Sequence, residues 1–368
     1  MFRQYKLKDY DFKLILYVVA LSSIGVLAVG SAKSDLMDRQ LLGMCAGIVA
    51  MIVLSFIDYS LILYFYWFLY AGNILLLLSV TFFGLNIGGA QRWVNILGIQ
   101  FQPSETAKIL LILFYAQFIM KYREKLNTVR FLGASILLLA LPLFLVYKQP
   151  DLSTSIMIVV IFCTMFFVGG LSFKIVAGIL AVTVPAAIIF LVLVLQPEQN
   201  IIHGYQAQRI LAWLQPEKYA DSTAYQQLNS ITAIGSGQLW GKGLNNNVIA
   251  SVKNGNFISE PQTDFIYAVI GEELGFAGAF AVVVLVVLIA IECLLIARTS
   301  KDLAGSIIAC GVAALVGFQS FMNMSVATGL LPNTGIPFPF VSYGLTSMVS
   351  LYVAMGIVLN VRLQAKKY

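Results

Sequence analysis

The sequence predicts an all-α integral membrane protein of about ten transmembrane helices, with both termini cytoplasmic and a large outer loop between helices 7 and 8. Three observations predict it. Hydrophobic residues make up 60% of the 368 and charged residues only 11%, against about 25% charged in a soluble domain. Mean hydropathy is +0.88, which leaves too little polar surface to cover a core this apolar in water. Apolar stretches of membrane-spanning length recur along the chain. Together these exclude a soluble enzyme, a disordered chain and a nucleic-acid reader; no nucleic-acid partner is expected.

The stretches fall near 12–31, 38–57, 61–84, 103–121, 131–148, 152–170, 173–195, 264–297, 304–328 and 341–362. The eighth is too long for one crossing, so it is expected to tilt or project beyond the bilayer. The first has a basic flank, Arg3-Gln4-Tyr5-Lys6, and a weak cleavage-like triplet, Ala28-Val29-Gly30. It is read as an uncleaved anchor. Placing the N-terminus inside puts Arg3, Lys6, Lys8, Lys13, Lys121, Arg123, Lys125, Arg130, Lys174, Arg298, Lys301, Arg362, Lys366 and Lys367 on one face. That bias follows the positive-inside rule and sets the orientation. The whole chain, 1–368, reads as a single polytopic domain that includes the extracytoplasmic loop 196–262.

Cys45, Cys163, Cys293 and Cys310 each lie in an apolar run with no CxxC pair. They are expected to be buried free thiols rather than disulfides or zinc ligands. The one histidine, His203, falls in a polar loop and is read as a surface residue.

Charges inside spans are the first functional candidates. The fourth span opens Gln102-Pro103-Ser104-Glu105-Thr106-Ala107-Lys108, and Glu105 and Lys108 share a face at i,i+3. They either brace the bundle or face a substrate. Before them lies Gly88-Gly89-Ala90-Gln91-Arg92-Trp93. Arg92 offers a planar fork suited to phosphate, and Trp93 is an interfacial anchor or a sugar-stacking surface. Asp151 could cap the sixth helix.

In the outer loop, Tyr205–Leu214 mixes apolar residues with Gln206, Gln208 and Arg209, as in a helix lying at the interface. Gly235, Gly237, Gly241 and Gly243, around Lys242, make a turn or a close approach to a ligand. The loop ends Glu260-Pro261-Gln262-Thr263-Asp264-Phe265, so Asp264 stands at the outer start of a helix, where its plain role would be a cap. Glu272 and Glu273 lie two turns deeper. The last loop, Gly329 to Phe340, carries Pro332, Pro337 and Pro339 and cannot be a regular helix. Non-helical backbone at membrane depth must be covered by protein or line a cavity, so this segment is expected to wall an outward-facing cavity.

Taken in order, Gly89-Ala90-Gln91-Arg92-Trp93, Gln102-Pro103-Ser104-Glu105, Gln149-Pro150-Asp151-Leu152, Thr263-Asp264-Phe265 with Gly271-Glu272-Glu273-Leu274-Gly275, and Thr334-Gly335-Ile336-Pro337 with Pro339-Phe340-Val341-Ser342-Tyr343-Gly344 resemble the SEDS family (shape, elongation, division and sporulation), whose members include RodA and FtsW. The short termini resemble its RodA branch. The resemblance spans nearly the whole chain. It implies ten transmembrane helices and a peptidoglycan glycosyltransferase of the bacterial cytoplasmic membrane, its active site facing outward. The implied partners are lipid II, the polyprenyl-diphosphate-linked growing glycan, membrane lipids and a class B penicillin-binding protein.

The resemblance places Asp264 at the position held to be catalytic. Joining the acceptor 4-hydroxyl to C1 of an α-diphosphate donor, with formation of a β-1,4 bond, inverts configuration. By analogy with inverting glycosidases, one carboxylate base suffices. Arg92, Lys108, Arg209 and Lys242 are candidates to hold the diphosphate. Glu105 would orient Lys108, while Trp93, Asp151, Glu260 and Ser342 complete the expected substrate-binding set. No organic cofactor is expected; a divalent cation, Mg2+ or Mn2+, bridging diphosphate and carboxylate is an expectation without a written ligand set. Two rival readings are a lipid II flippase and a non-catalytic scaffold for a penicillin-binding protein.

Overall fold

The computed structural model describes residues 10–87, 90–96, 98–179, 181–182, 185, 204–245, 251, 255 and 257–365. Eight helices among the described residues are long and apolar enough to cross a membrane. The expected seventh span, 173–195, and His203 lie mostly or wholly outside the described residues. The first spans are α1 (Phe12–Ala32) and α2 (Met37–Ser55). The stretch near 61–84 is divided into α3 (Tyr59–Tyr64) and α4 (Tyr66–Phe83). Asp58 starts α3 by accepting from Ser60 N–H.

Among the described residues, strands follow α4, a departure from the expected all-helical chain. They form an antiparallel sheet, β1 (Gly84–Ile87), β2 (Ala90–Ile96) and β3 (Ile99–Phe101), in that spatial order. Leu85 faces Trp93 and Val94 faces Phe101 across the ladders. The Asn95 side chain accepts from Gly98 N–H at 2.8 Å, and Gly98 has φ +86°, which closes the second hairpin.

Then follow α5 (Pro103–Lys121), α6 (Val129–Lys148) and α7 (Leu152–Gly169). The outer loop contributes α8 (Gly204–Leu214) and α9 (Tyr225–Ser236). The last helices are α10 (Ile266–Thr299), α11 (Leu303–Ala327) and α12 (Leu345–Leu363). The centre of the bundle is α11, which packs on α10, α7, α5 and α12, while α12 lies along α2. Cys293 and Cys310 are buried as expected, but Cys45 and Cys163 are exposed on the apolar outer surface. An apolar residue type does not fix which face of a membrane helix it takes when lipid is as apolar as the core.

The long eighth stretch neither runs straight nor simply projects: α10 breaks at Gly275 (φ +66°, ψ −164°). A break inside a bundle orphans carbonyls before it and N–H groups after it. The turn at 237–243 satisfies both sets. Lys242 N–H donates to Glu272 O and Gly243 N–H to Glu273 O, both at 2.9 Å. Phe276 N–H donates to Gln238 O at 2.8 Å and Ala277 N–H to Leu239 O at 3.1 Å. The glycines of this turn therefore make a close approach to backbone. A Cβ at Gly241 would stand 2.1 Å from Glu273 O, and one at Gly275 would stand 2.3 Å from Gly241 N.

Candidate active site

Asp264 lies two residues before α10, whose N-cap is Phe265 and which has no side-chain cap. The expected capping role is therefore not filled by Asp264. Its neighbour Phe265 is fully buried and fixes the start of the helix in the core. The Asp264 side chain is half-buried.

The backbone beneath it is pinned from two directions. Asn323 on α11 donates from Nδ2 to Asp264 O at 2.9 Å and to Ile336 O at 2.7 Å. One buried amide thus joins the catalytic candidate's backbone to the last loop. Ser342 Oγ donates to Thr263 O at 2.5 Å and accepts from Phe338 N–H at 2.7 Å. Tyr343 N–H donates to Gln262 O at 2.8 Å. Residues 328–344 are non-helical, as their prolines require. Gly335 (φ +69°) is turned so that a Cβ there would stand 3.2 Å from Asp264 Oδ2.

Burial pushes the Asp264 carboxyl up to about 6. Arg209 and Arg92 pull it down, and Asp151 and Glu260 push it up. Five of the expected residues therefore share one electrostatic neighbourhood, although they come from β2, the start of α7, α8 and the segment before α10.

Each is held differently. Arg92 donates from Nε to Gln149 O at 3.1 Å and from Nη2 to Pro150 O. This anchors β2 to the turn before α7. Asp151, 2% exposed, caps α7: Oδ1 accepts from Thr154 N–H at 3.1 Å and Oδ2 from Thr154 Oγ at 2.9 Å. Arg209 donates from Nη1 to Asn333 O at 3.0 Å, and Trp213 Nε1 to Gly329 O at 3.0 Å. α8 therefore lies across the last loop. Glu260 is exposed, and its Oε2 accepts from Gln262 Nε2. Trp93 is half-buried in the sheet.

The other expected residues lie in separate contacts. Lys108 is 1% exposed and Glu105 3%. They pair at 2.7 Å. Lys108 also donates to Gln319 Oε1 at 2.7 Å, and Ser347 Oγ donates to Glu105 Oε2 at 3.0 Å. Gln319 in turn donates to Pro337 O at 3.0 Å. The pair is buried, and its network ends on the loop behind Asp264. Lys242 pairs with Glu272 at 2.8 Å and Glu273 accepts from Ser31 Oγ at 2.6 Å, so these four side chains clamp the break in α10. Ser342 is buried and engaged with backbone on both sides.

Sequence reasoning missed Asn323 and Gln319, though a signal was present. Gln319, Ser320 and Asn323 interrupt the apolar run of α11 on one face. Asn323 Oδ1, Asn333 Oδ1 and Thr334 Oγ are buried beside this site and make no hydrogen bond. Such groups are suited to accept from, or donate to, a polar ligand.

The arrangement is that of a polytopic membrane protein with a carboxylate, two arginines and unsatisfied polar atoms gathered at one end of its bundle. The chain belongs to the cell cycle protein family of FtsW, RodA and SpoVE, whose profile it matches over residues 11–367. It is 34% identical to the probable peptidoglycan glycosyltransferase FtsW of Geobacter metallireducens, covering 98% of this chain and 96% of that one. It is likewise 34% identical to the peptidoglycan glycosyltransferase MrdB of Escherichia coli K12, covering 97% and 94%. Among solved structures, a chain of a peptidoglycan synthase complex superposes with TM-score 0.79 at 27% identity, covering 96% and 97%. The rod shape determining protein RodA of Thermus thermophilus superposes with TM-score 0.71 at 25% identity, covering 98% of each chain.

Proposed function

We propose that the protein is a peptidoglycan glycosyltransferase that polymerises lipid II at the outer face of the cytoplasmic membrane, with Asp264 as general base. The observation that carries this reading is a carboxylate freed from capping, raised to about 6 by burial, and flanked by Arg92 and Arg209. A base poised near the working pH both exists as carboxylate and retains basicity.

In this reading the Asp264 carboxylate accepts the proton of the acceptor's 4-hydroxyl as that oxygen attacks donor C1. The bond from C1 to the diphosphate oxygen breaks, configuration inverts, and polyprenyl diphosphate leaves. Arg92 and Arg209 stabilise the charge that develops on the leaving group. Asp151 and Glu260 contribute negative charge that keeps Asp264 basic. Among the described residues no three acid, His or Cys side chains gather as a ligand set. If a Mg2+ or Mn2+ ion bound here, Asp264 and Glu260 would be the residues to hold it, and it would neutralise charge on the diphosphate. A class B penicillin-binding protein is the proposed partner that cross-links the product.

The test is to reconstitute the protein with that partner in lipid vesicles, supply lipid II and block the transpeptidase. Glycan strands are the expected product. Movement of lipid II between leaflets without strands would replace this reading with the transporter.

A further inference from the structure

The ends of α1, α10 and α12 opposite Asp264 line an open cavity of about 570 Å³, within the roughly 300–1,000 Å³ typical of small-ligand sites. Glu292 on α10 and Asp11, which caps α1 through Leu14 N–H at 3.1 Å, line it. So do Lys13, Arg298 and Arg362. Glu292 lies beyond the break at Gly275 from Asp264, roughly 25 Å of helix rise past that break, so the cavity is distinct from the site above.

Glu292 lies seven residues before the end of α10 at Thr299, about two turns inside the helix. A carboxylate there is costly unless it is partnered. Asp11, a like charge, and the cations Lys13 and Arg362 all act on it electrostatically, yet no described residue forms an ion pair or hydrogen bond with it. Arg362 spends one N–H on Thr299 Oγ at 3.1 Å, while Lys13 and Arg298 are exposed. The cavity therefore offers a cationic wall and two carboxylates, Asp11 engaged as the cap of α1 and Glu292 without an ion-pair or hydrogen-bond partner among the described residues. Phe12, 63% exposed, and Leu295, 51% exposed, carry its lining onto the apolar outer surface.

We propose that this cavity binds the phosphoethanolamine headgroup of a membrane lipid, its phosphate on Arg298, Arg362 and Lys13 and its ammonium on Glu292. The acyl chains would leave past Phe12 and Leu295. An anionic headgroup without an ammonium satisfies the cations and leaves Glu292 unpaired beside a like charge, so the two-signed lining selects the zwitterion. Basic pockets between membrane helices are established headgroup sites; the carboxylate is what distinguishes this one.

The test uses the full-length protein in nanodiscs of equimolar phosphatidylethanolamine and phosphatidylglycerol, with retained lipid read by native mass spectrometry. Wild type is expected to retain phosphatidylethanolamine in excess. Glu292→Gln should lower the retained ratio roughly tenfold or more, the effect of one lost hydrogen bond to a charged group. Arg298→Gln, at an exposed position, should lower retention of both lipids. Equal retention by wild type, or a ratio unmoved by Glu292→Gln, would overturn the proposal. If Glu292→Gln does not fold, wild type in phosphatidylcholine decides. Its quaternary ammonium has no N–H to donate, so it should be retained less; equal retention overturns the assignment.

Discussion

Among single residues, Asp264 stands out as a carboxyl whose titration is displaced upward. The ordinary value of 3.8 rises to about 6 in the fold. The form proposed to act as base is the carboxylate, so polymerisation should fall as pH drops through about 6 and level off above it. A rate profile measured between roughly pH 5 and 8 checks this. The same shift has the opposite sign for stability. An acid whose folded value is raised destabilises the fold once ionised, fully above about 6 and not at all below about 4. An Asp264→Asn variant should therefore melt higher than wild type at neutral pH, and the gap should close as pH falls below 6 towards 4. Thermal scans across that window measure it. Gly335 supplies a second prediction. Its Cβ would stand 3.2 Å from Asp264 Oδ2 at a backbone angle that disfavours a side chain. Gly335→Ala should move the carboxylate and lower kcat about ten- to a hundredfold, with lipid II binding retained; steady-state kinetics on purified lipid II separate the two effects.

At the scale of elements, what sequence could and could not show divides along physical lines. Helices announced themselves through apolar length, and Asp151 as a cap and α8 as a helix followed from local rules. The sheet over 84–101 was missed because its strands are short and half-polar; the only local cue was Asn95 answering Gly98. The break at Gly275 was missed because its cause is a turn more than thirty residues upstream that replaces the lost hydrogen bonds. Asn323 was invisible as a partner for Asp264 because that contact is tertiary, although polar residues in α11 marked the face. Lys108 shows the reverse case. The i,i+3 pairing with Glu105 was legible, but its enclosure required the neighbours Gln319 and Ser347. Breaking that buried pair singly, as Lys108→Met, should cost about 3–5 kcal/mol of stability, and Glu105→Gln with Lys108→Met should recover much of it. Unfolding of both variants in nanodiscs is the measurement; recovery identifies a brace.

At the scale of the whole molecule, Asp264 and Glu292 sit near opposite ends of one broken helix. The outer end gathers residues from β2, α7, α8, α11 and the last loop, which explains why no short motif defines the site alone. The motifs matter jointly because the fold draws them together. In the proposed complex with a class B penicillin-binding protein, a β-lactam should abolish cross-links while glycan strands still lengthen, since the two chemistries are proposed to lie on different chains. Gel analysis of strands with and without the drug tests that division of labour.

The most direct test of the central claim compares wild type with Asp264→Asn, each bound to its partner, for both lipid II affinity and polymerisation rate. Near-equal affinity is expected, with a rate lower by about 10²–10⁴-fold, the usual contribution of a general base. A folded Asn variant that polymerises at the wild-type rate would contradict the claim and remove Asp264 from the chemistry.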